Sequence, residues 1–168
     1  MNKMEQADAL ARMIDGAFKD ANWPEPQNLV PHPVPRPSDP TFRDLEEPYI
    51  RADFGGKRQS DLTQIDARMV EELLSMTGPA VRYYLPCFLR HVLAKPDFIE
   101  LIALIDFLDV ERSASQGFTW PRFTEEQKAA VFGFVDYLQR HIRSFALGES
   151  EDEYMKRLQK VREQWKVS

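Results

Sequence analysis

The stretch Val81-Arg82-Tyr83-Tyr84-Leu85-Pro86-Cys87-Phe88-Leu89-Arg90-His91-Val92-Leu93 decides the fold. It is the densest apolar run of the 168-residue chain and holds its single cysteine. Val81, Leu85, Phe88 and Val92 recur at three- and four-residue spacing, which places them on one face of a helix, with Tyr84 and Leu93 broadening it. Thr77-Gly78-Pro79 precedes the run. Glycine ends the helix before it, Thr77 caps the next, and Pro79 sits in the first turn, where its missing amide donor costs nothing. The spacing therefore predicts a central helix over 79–94. Pro86 falls inside it, so one main-chain hydrogen bond is lost and a kink is expected. Val81, Leu85, Phe88, Val92 and Leu93 are expected in the core, and Tyr83, Arg90 and His91 on a polar slope open to a partner.

Helical periods continue on both sides. Upstream, Ile65, Met69, Leu73 and Met76 share a face of a helix for which Asp61-Leu62-Thr63 offers side-chain caps. Downstream, Phe98, Leu101, Ile102, Ile105 and Leu108 write a fourth helix. Residues 113–121 read as polar loop with Phe118 and Trp120 as plugs. Thr124 and Gln127 have capping-box spacing and open a fifth helix whose stripe is Val131, Phe134, Val135, Leu138 and Ile142, ended by Gly148. At the two ends, Leu10, Ile14, Ala17, Phe18 and Ala21 mark a helix over 4–21, and Tyr154, Leu158, Val161 and Trp165 form a narrow apolar seam.

Prolines at positions 24, 26, 31, 33, 35, 37 and 40 remove too many amide donors for a helix or an inner strand. This segment is expected to be extended, largely polyproline II. It serves either as a strap held to the domain by Leu29, Val30 and Val34, or as a ligand for an aromatic groove through Pro33-Val34-Pro35-Arg36-Pro37. Residues 41–63 show little periodicity and read as an irregular arm anchored by Phe42, Leu45, Tyr49, Ile50 and Phe54. Gly55-Gly56 is a turn and not a phosphate loop, because no Gly-Lys-Ser/Thr ending follows. The fold expected is all-α, a single-domain bundle over 1–168 of five to six helices with a proline-rich extended strap between helices 1 and 2. Residues 24–60 are extended or irregular in this reading and 149–168 form a peripheral helix.

With 27 Asp plus Glu against 22 Lys plus Arg, the net charge is -5. Binding to a phosphate backbone needs clustered basic residues in surplus, so nucleic acid is disfavoured and a basic partner favoured. One cysteine makes no internal disulfide. The amino terminus lacks the apolar core of a secretory signal, and no segment reaches the ~18 apolar residues of a membrane span. A cytoplasmic protein without membrane contact is expected.

Chemistry-bearing patterns are sparse. The three histidines, His32, His91 and His141, are too far apart for a helical metal motif, and no cysteine pair exists, so no metal or other cofactor is expected. No nucleophile elbow is present. Cys87 pairs with His91 at i, i+4 on one helix face, yet it lies mid-helix within an apolar run, where a small buried side chain is the simpler reading. Asp106, Asp109 and Glu111 cluster near a helix end and offer an acidic knob to a basic partner. The candidate partner-binding residues are thus Tyr83, Arg90, His91, Asp106, Asp109 and Glu111, with no catalytic residue assigned.

Tyr83-Tyr84-Leu85-Pro86, together with Phe123-Thr124-Glu125-Glu126-Gln127 leading into Val131, Phe134 and Leu138, resembles an uncharacterised bacterial family, domain of unknown function 6714. The Ala17-Phe18 helix and the Phe54-Gly55-Gly56-Lys57 to Asp61-Leu62 approach are similar to it as well. The chain departs from that pattern at Gln59, where an aromatic residue would be expected. The resemblance covers about 9–145 and implies a small helical bacterial protein with no activity attached. On these grounds the expected function is non-enzymatic protein binding, in its specific version an immunity protein that neutralises a basic toxin by occlusion. The alternatives are an enzyme with a site assembled from distant residues, for which Tyr83, Arg90, His91 and Asp106 are the polar candidates, and a structural or regulatory subunit that makes a homo-oligomer through its C-terminal helix.

Overall fold

The computed structural model describes residues 1–31, 46–145 and 147–168. Among them the fold is all-α, with eight α-helices and no strand: α1 Lys3–Phe18, α2 Glu47–Phe54, α3 Ala67–Glu72, α4 Gly78–Ala94, α5 Phe98–Leu108, α6 Val110–Ser115, α7 Glu125–Arg140 and α8 Glu151–Gln164. Two helices exceed the expected five to six at the upper bound, because short α2 lies in the stretch expected as an irregular arm and α6 spans the expected end of the fourth helix and the start of the 113–121 loop. None of the described helices is long and apolar enough to cross a membrane.

Local chemistry sets most of the boundaries. Asn2, Asp66, Thr77, Asp97, Asp109 and Thr124 each accept a hydrogen bond from an amide of the first helical turn. Such a cap contributes about 1 kcal/mol. The Thr124–Gln127 capping box forms as its spacing predicts. The α3 cap does not come from 61–63: Asp61 instead closes a 3-10 turn on the amide of Arg58, and Asp66 caps the helix through Met69. Asp109 both ends α5 and caps α6, which is how a second helix fits across the expected end of the fourth helix. Helix α7 stops at Arg140, well before Gly148, and a 3-10 turn at Ile142–Phe145 keeps Ile142 buried.

Helix α4 is the centre. Helix α1 packs along it and also on α7, α3 packs on α5, and α8 lies on α7 and α5. It runs unbroken through Pro86, whose ring is buried. Burial extends almost all the way round, which corrects two expectations. Tyr83 is not on an open slope: it is 8% exposed, and the 3-10 turn at Gln59–Asp61 covers it, Gln59 donating its amide to the hydroxyl (3.1 Å) and its side chain to the Tyr83 carbonyl (2.7 Å). Leu93 is only partly buried at the edge of the core. Tyr84 is fully enclosed, its hydroxyl within reach of the Phe54 and Lys57 carbonyls.

The arm holds a regular element as well. Ile50 and Phe54 are anchors, as expected, but they sit on α2. Tyr49 on the same helix is exposed. Gly55-Gly56 forms the turn that follows, with Gly56 at φ 72°, a conformation glycine adopts without penalty. Leu29 and Val30 are buried, and Thr77 binds their segment by donating its amide to the Leu29 carbonyl (2.8 Å) and its hydroxyl to that of Asn28 (2.7 Å). This part of the proline-rich stretch is strapped to its own domain, with a 3-10 turn at Pro26–Asn28 in place of polyproline II. His32, Val34, the 33–37 motif, Phe42 and Leu45 lie outside the described residues.

The C-terminal helix is not peripheral. Leu158, Val161 and Trp165 belong to the core, and Trp165 donates its indole N–H to the Leu108 carbonyl at 2.8 Å. Its ring stacks edge-on against Trp120 and Phe123 at 5.3 Å, extending an aromatic cluster that includes Phe107 and the expected plug Phe118. The apolar seam is consumed inside the chain.

Candidate functional site

The six residues selected from the sequence do not converge. On α4, Tyr83 is buried, Arg90 is ion-paired with Asp15, and His91 Nε2 meets Glu100 Oε2 at 2.7 Å. On the far side of the bundle, Asp106 pairs with Arg157 and with Arg112 (3.6 Å), and Glu111 with Lys160 (3.1 Å). Asp109 accepts from the Gln164 side chain (3.0 Å), the Arg112 amide (3.3 Å) and Lys160 (3.4 Å). Burial alone would raise its pKa, but those three donors outweigh it and hold the carboxyl below the ordinary range. The expected acidic knob is therefore, for Asp106 and Asp109, a set of internal struts between α5, α6 and α8.

Cys87 and His91 do not act as a dyad either. His91 turns to Glu100, while the Cys87 sulfur faces the Gln59 carbonyl (3.8 Å) and Arg90 (3.7 Å). Burial pushes the thiol up to about 11, against the weaker opposing pull of Arg90, so it is protonated at neutral pH. His141 is bound to Gln6 at 2.9 Å. Among the described residues no group of three or more His, Cys, Asp or Glu side chains is placed to hold a metal ion.

A cleft of about 1040 Å³ offers a concave surface of ligand size, in a range typical of small-molecule and side-chain pockets. Its walls are α2, α3 with the turn that follows it, the start of α4, α5 and the 116–121 segment, and of the six selected residues only Asp106 reaches it. Gly78 lets the start of α4 approach that segment: a Cβ there would lie 3.0 Å from the Thr119 carbonyl oxygen and 3.1 Å from Pro121. Ile50, Val70, Met76 and Phe107 give the cleft an apolar floor.

Glu72 sets the chemistry of this cleft. It is 8% exposed, and neither carboxyl oxygen has a hydrogen-bond donor among the described residues. Its nearest cation is Arg68, 3.5 Å away, and Arg68 is shared with Asp53, which it binds at 3.1 Å. One guanidinium thus faces two carboxylates. Burial first, and then Asp53 beside it as hydrogen-bond acceptor and negative charge, raise Glu72 to about 8, so it carries a proton at neutral pH. A second orphan lies in the same wall: the indole N–H of Trp120 is buried without an acceptor among the described residues. Buried polar groups are nearly always satisfied, so two unsatisfied ones in one cleft mark it out.

Reading for apolar stripes passed over Glu72, although a signal was present. Glu72 stands three residues after Met69 and four before Met76, on the same face as the stripe, where an acid has no packing reason to be. Trp120 was read as a plug, and its unmet N–H had no counterpart in the sequence. No family model, no curated protein and no solved structure matches this chain.

Proposed function

We propose that the protein is a non-enzymatic binding protein that receives part of a partner protein in the α2–α3–α5 cleft. The immunity version, in which it neutralises a basic toxin by occlusion, is the form favoured by the net charge of -5. The observation that carries this reading is Glu72, a buried carboxyl group in the wall of a ligand-sized cleft, without a hydrogen-bond donor among the described residues. An acidic binding face speeds encounter with a basic partner and disfavours acidic ones. Membership of domain of unknown function 6714 is part of the same proposal and adds no activity to it. The test is co-purification from the native host, followed by Ser75→Trp, which fills the cleft from its rim. The reading expects an identified basic protein to be retained by the wild type and lost by the folded variant. Retention of no partner, or retention that ignores the blocked cleft, overturns it.

One observation favours the enzymatic alternative. Asp53 and Glu72 form a carboxyl pair in which one member stays protonated near neutral pH, the arrangement used for general acid chemistry. That reading expects a turnover abolished by Glu72→Gln and Asp53→Asn alike, with no stable complex.

A further inference from the structure

We infer that the group seated in the cleft is a lysine or arginine side chain carried on a peptide, its cation against Glu72 and a main-chain carbonyl against the Trp120 indole N–H. This rests on the binding reading above and names what the partner presents. The charge balance points to it. Asp53 on α2, Asp66 at the cap of α3 and Glu72 itself surround a single cation, Arg68. Among the described residues, Glu46 and Glu71 in the same lining have no ion-pair partner, whereas Asp106 is paired with both Arg112 and Arg157. Among the described residues the lining therefore holds four carboxylates to two guanidiniums, both of them paired, with Arg157 reaching Asp106 from outside it. A further cation is what the described lining lacks.

The apolar floor and the rings of Phe107 and Trp120 suit the alkyl stem of such a side chain, since long cationic side chains bury their methylenes and keep the charge at a polar end. A free amine would satisfy Glu72 and leave the Trp120 N–H without an acceptor. A peptide supplies both groups, which is why the source is taken to be a polypeptide.

In the unoccupied chain a proton on Glu72 stands in for the missing cation. Seating a permanent cation there favours the carboxylate, so occupancy expels that proton. Affinity for the peptide then rises with pH from about 6 and levels off above about 8, where Glu72 is already ionised.

The experiment titrates the full chain with a blocked Gly-Lys-Gly peptide, its norleucine counterpart and butylammonium, following the Trp120 indole N–H resonance by NMR and the heat in two buffers of different ionisation enthalpy at pH 7. The expected result is at least tenfold tighter binding of the lysine than of the norleucine peptide, a shift of the Trp120 resonance, and release of up to one proton. Glu72→Gln should bring the two peptides level. Equal binding of both peptides to the wild type, discrimination that survives Glu72→Gln, or no binding of any probe at millimolar concentration overturns the inference. Butylammonium binding as tightly as the lysine peptide, with the same Trp120 shift, overturns its peptide part. The decisive comparison uses wild-type protein only, so it stands even if the variant folds poorly. A partner held through the cleft while the peptides fail would sink this inference and leave the binding reading intact.

Discussion

Asp109 and Glu72 are buried to the same degree, 9% and 8% exposed, yet their surroundings drive them in opposite directions. Asp109 is met by a backbone amide, a glutamine and a lysine, and stays ionised below the ordinary carboxylate range. Glu72 is met by half of one arginine and by a second carboxylate, and rises to about 8. A buried acid is therefore no sign of a site in itself. What separates a strut from a site here is whether the chain supplies the donors, and at Glu72 the described residues do not.

The largest test of the strut side is removal of α8. Deleting residues 149–168 takes away Gln164 and Lys160 from Asp109 and Trp165 from the aromatic cluster, and the chain is expected to unfold, read by circular dichroism and thermal melting. An intact fold would mean that the Asp109 network is dispensable. Trp165→Ala alone should cost about 3–5 kcal/mol, the range for emptying a buried aromatic position.

Asp109→Ala should destabilise by about 2–4 kcal/mol, combining a lost helix cap with donors left unpaired. Glu72→Gln should do the reverse at alkaline pH. A folded-state value raised from 4.5 to about 8 means that the Glu72 contribution is fully present below 4.5 and is lost as pH rises through about 8. Denaturant melts of the wild type from pH 5 to 9 should show that decline, on the order of a few kcal/mol, and the variant should flatten it. For Asp109 the sign is opposite: its contribution is present above the ordinary value of 3.8 and disappears as pH falls through its lowered one.

Smaller effects probe the α4 side. Cys87 should resist iodoacetamide at pH 7 in the native chain and react once denatured, because burial keeps the thiol protonated and out of reach. Rapid native alkylation would return it to the list of candidate sites. Tyr83→Phe removes only the acceptor for the Gln59 amide and should cost about 1 kcal/mol. A larger loss would show that the 59–61 turn depends on that single bond.

Period and cap chemistry, both local, were enough to read the all-α class, the stripes of α1, α4 and α7, and the starts of α4, α5 and α7, because the residues that bury or cap a helix lie within a few positions of one another. On α5 the expected Phe98 is exposed, while Leu104 and Phe107, outside the expected stripe, are buried. Helices α2 and α6 escaped that reading: each is too short for an apolar stripe to repeat, and α6 depends on Asp109 serving two helices at once. The fates of Tyr83, Asp106 and Asp109 were settled by groups 24 to 55 residues away, Gln59, Arg157 and Gln164, whose proximity no spacing rule expresses. The cleft belongs to the same class. Glu72 could be seen in the sequence as an acid on an apolar face, but that it lacks a donor is a property of everything packed around it, and only the tertiary structure decides that.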